Sequence, residues 1–270
     1  MDSQRNTSLT ILLHSTAYYF ISYIFILTIF QYVSVSTALF FEIPSIIRYN
    51  KIDFLVNTQS WNFDSVKMIF STGCIAALIF GLVFLVIYIR AMKFEGLLKM
   101  FFFWGFIHGL NMFVGSAVLG AFIREGMGYV YEWMYFKETE KMLLLFIGLT
   151  IMMGTGSLMV RPMYLSANSY FNTCKPEIRG TFRKYQFLFP YLVSTPLLIL
   201  LRTPLSIYET LLLVTPGFAL IPLFAGFYRN TLFYFDENER IIKLRIRLLV
   251  IALIFLAVFR VIYAAGIRIG

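Results

Sequence analysis

Charge is what this chain has least of. Asp, Glu, Lys and Arg make up 14% of its 270 residues, where a soluble domain carries about 25%. With 59% hydrophobic residues and a mean hydropathy of +0.77, that scarcity excludes an ordinary water-soluble globule. Cysteine is nearly absent: Cys74 and Cys174 are too few and too scattered for a disulfide framework or a zinc ribbon. No polar stretch is long enough for a separate soluble domain, so residues 1–270 read as a single integral-membrane helical domain. Strand-like alternation is missing too. Its continuous apolar runs exclude a transmembrane β-barrel, whose strands alternate polar and apolar residues over about ten positions.

The catalytic signatures are equally thin. His14 and His108 are the only histidines. An intramembrane metalloprotease needs His-Glu-x-x-His on one helix face, but here Gly109 stands for the Glu and Met112 for the second His. There is no Gly-x-Ser-x-Gly, Ser157 has no identified base, and no histidine lies in a late span to serve a serine. Phosphate-binding and dinucleotide-binding glycine motifs are absent, so no catalytic set, metal or cofactor is expected. A retinal Schiff base needs a lysine in the last span, and no proposed span contains one. The Asn-Pro-x-x-Tyr motif of G-protein-coupled receptors is also missing, and the orientation deduced below is opposite to theirs.

What the chain does have is apolar runs near the length of a bilayer-crossing helix, about 20 residues. Seven are expected: Leu9–Phe41, Met68–Ile89, Met100–Ile123, Met142–Val160, Phe187–Leu201, Tyr208–Tyr228 and Leu248–Ile267. The first is long enough to tilt, or to continue as an interfacial turn, and reads as a retained span rather than a cleaved signal. The fifth is the shortest; it either crosses fully, is re-entrant, or pairs with the sixth around Arg202-Thr203-Pro204.

The formal charge of +9 follows from where the loops fall. With the N-terminus inside, fourteen Lys and Arg and six acids lie on the inside; eight of each lie outside, and Arg260 is left within the seventh span. Orientation follows the Lys and Arg count of short loops, so the expected fold is an all-α, polytopic transmembrane bundle of about seven spans with a cytoplasmic N-terminus. The basic loops then read as topology and headgroup contact, not as a nucleic-acid surface. A multi-pass protein of a bacterial inner membrane is expected, with the lipid bilayer and other membrane subunits, or itself, as partners.

A few positions stand out. His108 and Asn111 share a face of the third span, among small residues Gly105, Gly109, Gly115, Ser116 and Gly120 whose four-residue spacing lets helices approach closely. Gly154 in the fourth span suggests another close crossing. Pro190, Pro196, Pro216 and Pro222 are candidate helix breaks in the fifth and sixth spans. Trp61, Tyr129, Tyr131, Trp133 and Tyr135 lie in two outside loops, as an interfacial belt would. Arg260 lies about 12 residues into its span, about 18 Å along a helix. There a cation costs roughly 2.5–3.5 kcal/mol on insertion scales, and Glu209 is its best-placed partner. The first functional expectation is a non-enzymatic subunit that anchors or assembles with partner membrane proteins. The second is a small transporter or channel component using Arg260, Glu209, His108 and the Pro-broken sixth span.

Overall fold

The computed structural model describes residues 2–56, 61–92, 96–167, 176–225 and 244–270. Among them, seven helical segments are long and apolar enough to cross a membrane: Thr7–Phe40, Phe63–Ala91, Lys99–Gly120, Glu138–Leu165, Ile178–Arg202, Ile207–Phe224 and Ile246–Ala264. The first, second, fourth and last belong to single helices: α1 (Asp2–Phe40), α2 (Phe63–Ala91), α6 (Glu138–Leu165) and α11 (Ile246–Ala264). The third joins α3 (Lys99–Leu110) to α4 (Ser116–Gly120) through a π-turn at Asn111–Gly115, and α5 (Met127–Trp133) follows it. The fifth joins α7 (Pro176–Arg183) to α8 (Phe189–Arg202) through a second π-turn, Lys184–Leu188. The sixth is α9 (Ile207–Val214) and α10 (Gly217–Phe224), separated by Thr215 and Pro216.

The helices start earlier than the apolar runs do, because polar caps begin them. Asn62 and Ser65 form a reciprocal capping box, Ser65 N donating to Asn62 Oδ1 at 2.8 Å and Asn62 N to Ser65 Oγ at 3.1 Å. This places the start of α2 at Phe63 rather than Met68. Lys137 N donates to Glu140 Oε2 at 2.7 Å, so α6 starts at Glu138 rather than Met142. The fifth segment is not the shortest: it runs for 25 residues because α7 carries the helix back through Arg179 and Arg183, while the sixth has 18. Tyr228, the expected end of the sixth, lies outside the described residues, as do Lys93, Cys174, Lys175, Arg229, Arg240 and Lys243 of the expected inside loops.

The third segment is the hub. It is the most buried of the seven, whereas α11, which packs mainly on α1, is the most exposed. Backbone contact fastens the hub to α2. A Cβ on Gly109 would lie 2.7 Å from the Gly81 Cα, and one on Gly81 would lie 3.0 Å from the Gly109 Cα. Only glycine permits that approach, so Gly109 of α3 meets Ala77 and Gly81 of α2, while Gly73, four residues earlier in the same series, packs on α1 against Phe30 and Ser34.

Three short strands, not expected from the sequence, close one end. β1 (Ser45–Ile47) lies between β2 (Ile52–Phe54) and β3 (Ile267–Ile269), antiparallel to both. The last helix therefore stops at Ala264, short of Ile267, and the chain turns at Gly266 to pair with β1. At this sheet end, Asn50 donates to the Pro204 carbonyl, Phe54 and Tyr129 pack on Phe70, and Gly126 abuts Tyr208. At the opposite end, Ser15 donates to the Gln186 carbonyl, Tyr88 to that of Pro162, and Arg245 N to His14 Nε2. Successive long segments thus run in alternate directions.

Candidate functional site

Among the described residues the most buried arginine is Arg202, not Arg260. It closes α8 with 6% of its side chain exposed, and all three guanidinium nitrogens are engaged. Nε donates to the Tyr49 carbonyl at 3.1 Å, Nη1 to the Tyr23 hydroxyl at 2.6 Å, and Nη2 to the Asn50 carbonyl and to Glu209 Oε1 at 3.4 Å. Glu209 is held by its own helix start. Its Oε2 accepts from Ser206 N at 3.2 Å, and its amide donates to Ser206 Oγ at 3.2 Å. This is the Ser-x-x-Glu capping box, so one carboxylate caps α9 and neutralises Arg202.

The expected Arg260–Glu209 pair does not form. Arg260 turns to the end of α8, donating to the Leu201 carbonyl at 2.9 Å, with its guanidinium 3.4 Å from the centre of the Tyr49 ring. Glu209 is already committed to Arg202. Arg260 thereby sits on an aromatic face and a freed helix-end carbonyl, which lowers its cost.

A polar line extends from Arg202 down one face of α1. Tyr23 meets the His108 ring edge-on at 5.2 Å, and His108 meets Tyr19 at 4.5 Å. The Tyr19 hydroxyl lies 3.2 Å from Thr195 Oγ1. One turn further, Trp104 Nε1 donates to Ser15 Oγ at 2.9 Å, and that hydroxyl donates to the Gln186 carbonyl at 2.7 Å. Ser15, Tyr19 and Tyr23 recur every four residues, which puts them on one stripe. His108 is 2% exposed, and its Nε2 has no hydrogen-bond partner.

At the sheet end this line meets a chamber of about 370 Å³. Leu27, Phe30, Ile69, Phe70, Met112 and Leu212 give it apolar walls. Gln31, Asn50, Lys51, Arg202, Glu209 and Glu125 supply its polar groups. Gly126 forms part of the rim at φ +56, where a Cβ would meet the Tyr208 hydroxyl and ring; a side chain there would push α9 away. The volume falls in the range of small-molecule sites, which are mostly apolar with a few placed polar groups.

His108 and Asn111 part company despite sharing a helix face. His108 faces α1, whereas Asn111 opens the π-turn and faces the α9–α10 joint. Asn111 Nδ2 donates to the Leu212 carbonyl at 2.6 Å, and its Oδ1 accepts from Thr215 Oγ1 at 2.6 Å. Gly115 packs beneath this pair, leaving a would-be Cβ 3.0 Å from Thr215 Oγ1. Two irregular helix segments are thus bolted together beside Met112 and Leu212 of the chamber.

The other expected positions divide. Gly105 packs against Phe84, Gly120 against Met127 and Gly128, and Ser116 is buried in the chamber wall. Gly154 is a correction: nothing lies within 4 Å of its would-be Cβ, and the close crossing of α6 on α10 belongs to Gly156, against Ala219 and Pro222. Among the prolines, Pro216 marks a real break and Pro190 opens α8 after the π-turn. Pro196 and Pro222 do not break their helices; each lies inside a continuous one, where packed neighbours tolerate the lost bond. Tyr131 is no belt residue. It is buried, donates to the Ala117 carbonyl at 3.2 Å and stacks on Phe136, and burial, with the Cys74 thiol nearby, pushes its hydroxyl up to about 12. Trp61 is half-buried against Phe54 and Phe70, Tyr129 lines the chamber, and Trp133 and Tyr135 are exposed.

On the sheet, Lys51 Nζ and Arg48 Nε reach the two oxygens of Asp53 at 2.7 and 2.8 Å. Partial burial would raise the Asp53 carboxyl, but the hydrogen bonds and charges of Lys51 and Arg48 outweigh it and hold the group below its ordinary value. Among the described residues, no group of three or more His, Cys, Asp or Glu is placed to hold a metal ion. Compared with protein-family models, curated protein sequences and solved structures, the chain matches none.

Proposed function

We propose that this protein is a non-enzymatic, multi-pass membrane carrier that loads a small molecule into the chamber at its sheet end. The chamber is the observation that carries this reading: a cavity of about 370 Å³ with apolar walls and a polar end built on the buried Arg202–Glu209 pair. The excess of Lys and Arg at the opposite end favours a cytoplasmic N-terminus, so the chamber faces outward. The irregular segments beside it favour a carrier over a static receptor. The π-turn at Asn111 and the break at Thr215-Pro216 adjoin Met112 and Leu212, and transporters place such helix discontinuities at their binding sites. Of the residues expected from the sequence to serve transport, this reading keeps Glu209 and Pro216. It assigns His108 to the polar line beneath the chamber and removes Arg260 from the path.

The test is sided thiol access. In a Cys74→Ala/Cys174→Ser background, a cysteine replacing the chamber residue Ser34 should react with a small, membrane-impermeant thiol reagent added outside, and not with the same reagent added inside. Failure to react from either side overturns the chamber as a loading site.

A second reading, assembly with another membrane subunit or a second copy, is favoured by α11. This helix packs mainly on α1 and exposes Ile251, Leu253, Ile254, Val261 and Ile262. Cross-linking from single cysteines at Leu253 and Val261 in native membranes checks it: a discrete cross-linked product supports assembly, and none leaves that face to lipid.

A further inference from the structure

We infer that the chamber's ligand is a small organic ammonium with an apolar body. This deepens the carrier reading and rests on it.

The polar groups of the chamber are unevenly spoken for. Its two cations are engaged: Arg202 with Glu209, Tyr23 and two backbone carbonyls, and Lys51 with Asp53 at 2.7 Å. What is left over accepts or is negative. Gln31 and Asn50 line the chamber, are 1% and 6% exposed, and each has a side-chain carbonyl oxygen without a hydrogen-bond partner. The assignment of oxygen and nitrogen is settled by the other half of each amide. Gln31 Nε2 donates to the Arg48 carbonyl at 3.0 Å and Asn50 Nδ2 to the Pro204 carbonyl at 2.8 Å; a backbone carbonyl can only be met by the NH₂ group. A buried acceptor without a donor costs about 1–3 kcal/mol; both oxygens are sealed within the wall, so a ligand's N–H groups reach them only when these side chains shift.

Charge and ring faces narrow the donor to a cation. Glu125 lines the chamber, and no ion pair engages it among the described residues. Phe30, Phe70 and Tyr129 add aromatic faces to the same walls, and such faces attract ammonium groups. An anion would find both cations taken and a carboxylate beside it. An ammonium finds a carboxylate and aromatic rings, with Leu27, Ile69 and Met112 beneath for an apolar body.

The experiment measures binding of three matched probes to the full chain in lipid nanodiscs near pH 7: phenethylamine, phenethyl alcohol and phenylacetate. The amine should bind at least about tenfold more tightly than either of the others, and Glu125→Gln, at a half-buried rim position, should weaken it by about tenfold with unchanged melting. Equal affinity for amine and alcohol, preference for phenylacetate, or no binding of any probe would each overturn the ammonium assignment. If thiol access to Ser34→Cys persists in those cases, the loading chamber stands and only its ligand class is wrong; if access is lost as well, the carrier reading itself fails.

Discussion

Arg202 and Glu209 face each other at 3.4 Å across the joint between α8 and α9, with 6% and 21% of their side chains exposed. The chain returns within seven residues to put a carboxylate against the last guanidinium of the preceding helix. Removing only the cation strands the anion. Arg202→Met should cost about 3–5 kcal/mol of stability, and Arg202→Met with Glu209→Gln should recover much of it. Thermal melts of the purified protein in nanodiscs check this; a double variant no better than the single one would show that the pair is not the energetic unit.

Arg260 should matter less. Its contacts are two carbonyls at the end of α8, Leu201 at 2.9 Å and Thr203 at 3.5 Å, and the Tyr49 ring, a cation–π contact of about 0.5–2 kcal/mol. Arg260→Met should therefore melt closer to the parent than Arg202→Met and leave probe binding in the chamber unchanged. Loss of binding in Arg260→Met would return that arginine to the ligand path.

Two glycines should respond in opposite ways. Gly109→Ala drives a methyl group into the Ala77 carbonyl and the Gly81 backbone and should lower the melting temperature. Gly154→Ala meets nothing within 4 Å and should raise stability by about 0.5–1 kcal/mol, the ordinary gain from alanine in a helix interior. Melts of the two variants side by side are enough.

The sheet should weaken only in acid. Asp53 is held below its ordinary value of 3.8 by Lys51 and Arg48, against the raising effect of partial burial. A carboxyl whose folded value is depressed contributes stability that is complete above the unfolded value and is lost as the pH falls through the folded one. The carbon-13 shift of the Asp53 carboxyl should thus show a midpoint below 3.8, moving up in Lys51→Met. A midpoint at or above 3.8 in the parent would mean that the two cations do not hold it.

The seven long segments could be read from sequence because apolar runs of bilayer length are hard to mistake for anything else. Their ends could not, because polar caps such as Asn62 and Glu140 look like loop until their hydrogen bonds are known. The sheet escaped because its three-residue strands carry no period. The site was half legible. Glu209 and His108 stood out as ionisable residues in or beside apolar runs, but Arg202 looked like a loop residue, and Arg260 was matched with Glu209 by depth alone. Three signals pointed the right way: the Ser206-x-x-Glu209 capping box, the Ser15, Tyr19 and Tyr23 stripe, and the Gly73, Ala77 and Gly81 series. The chamber itself joins residues from six stretches of chain, and no local pattern encodes that.

The most direct test of the carrier account is the distance across the chamber mouth. Spin labels on Lys51→Cys and Arg124→Cys, in the Cys74→Ala/Cys174→Ser background in nanodiscs, report it by pulsed dipolar spectroscopy. The account predicts two distance populations, an open and a closed mouth, whose ratio shifts when phenethylamine is added. One narrow population that the amine does not move would contradict it.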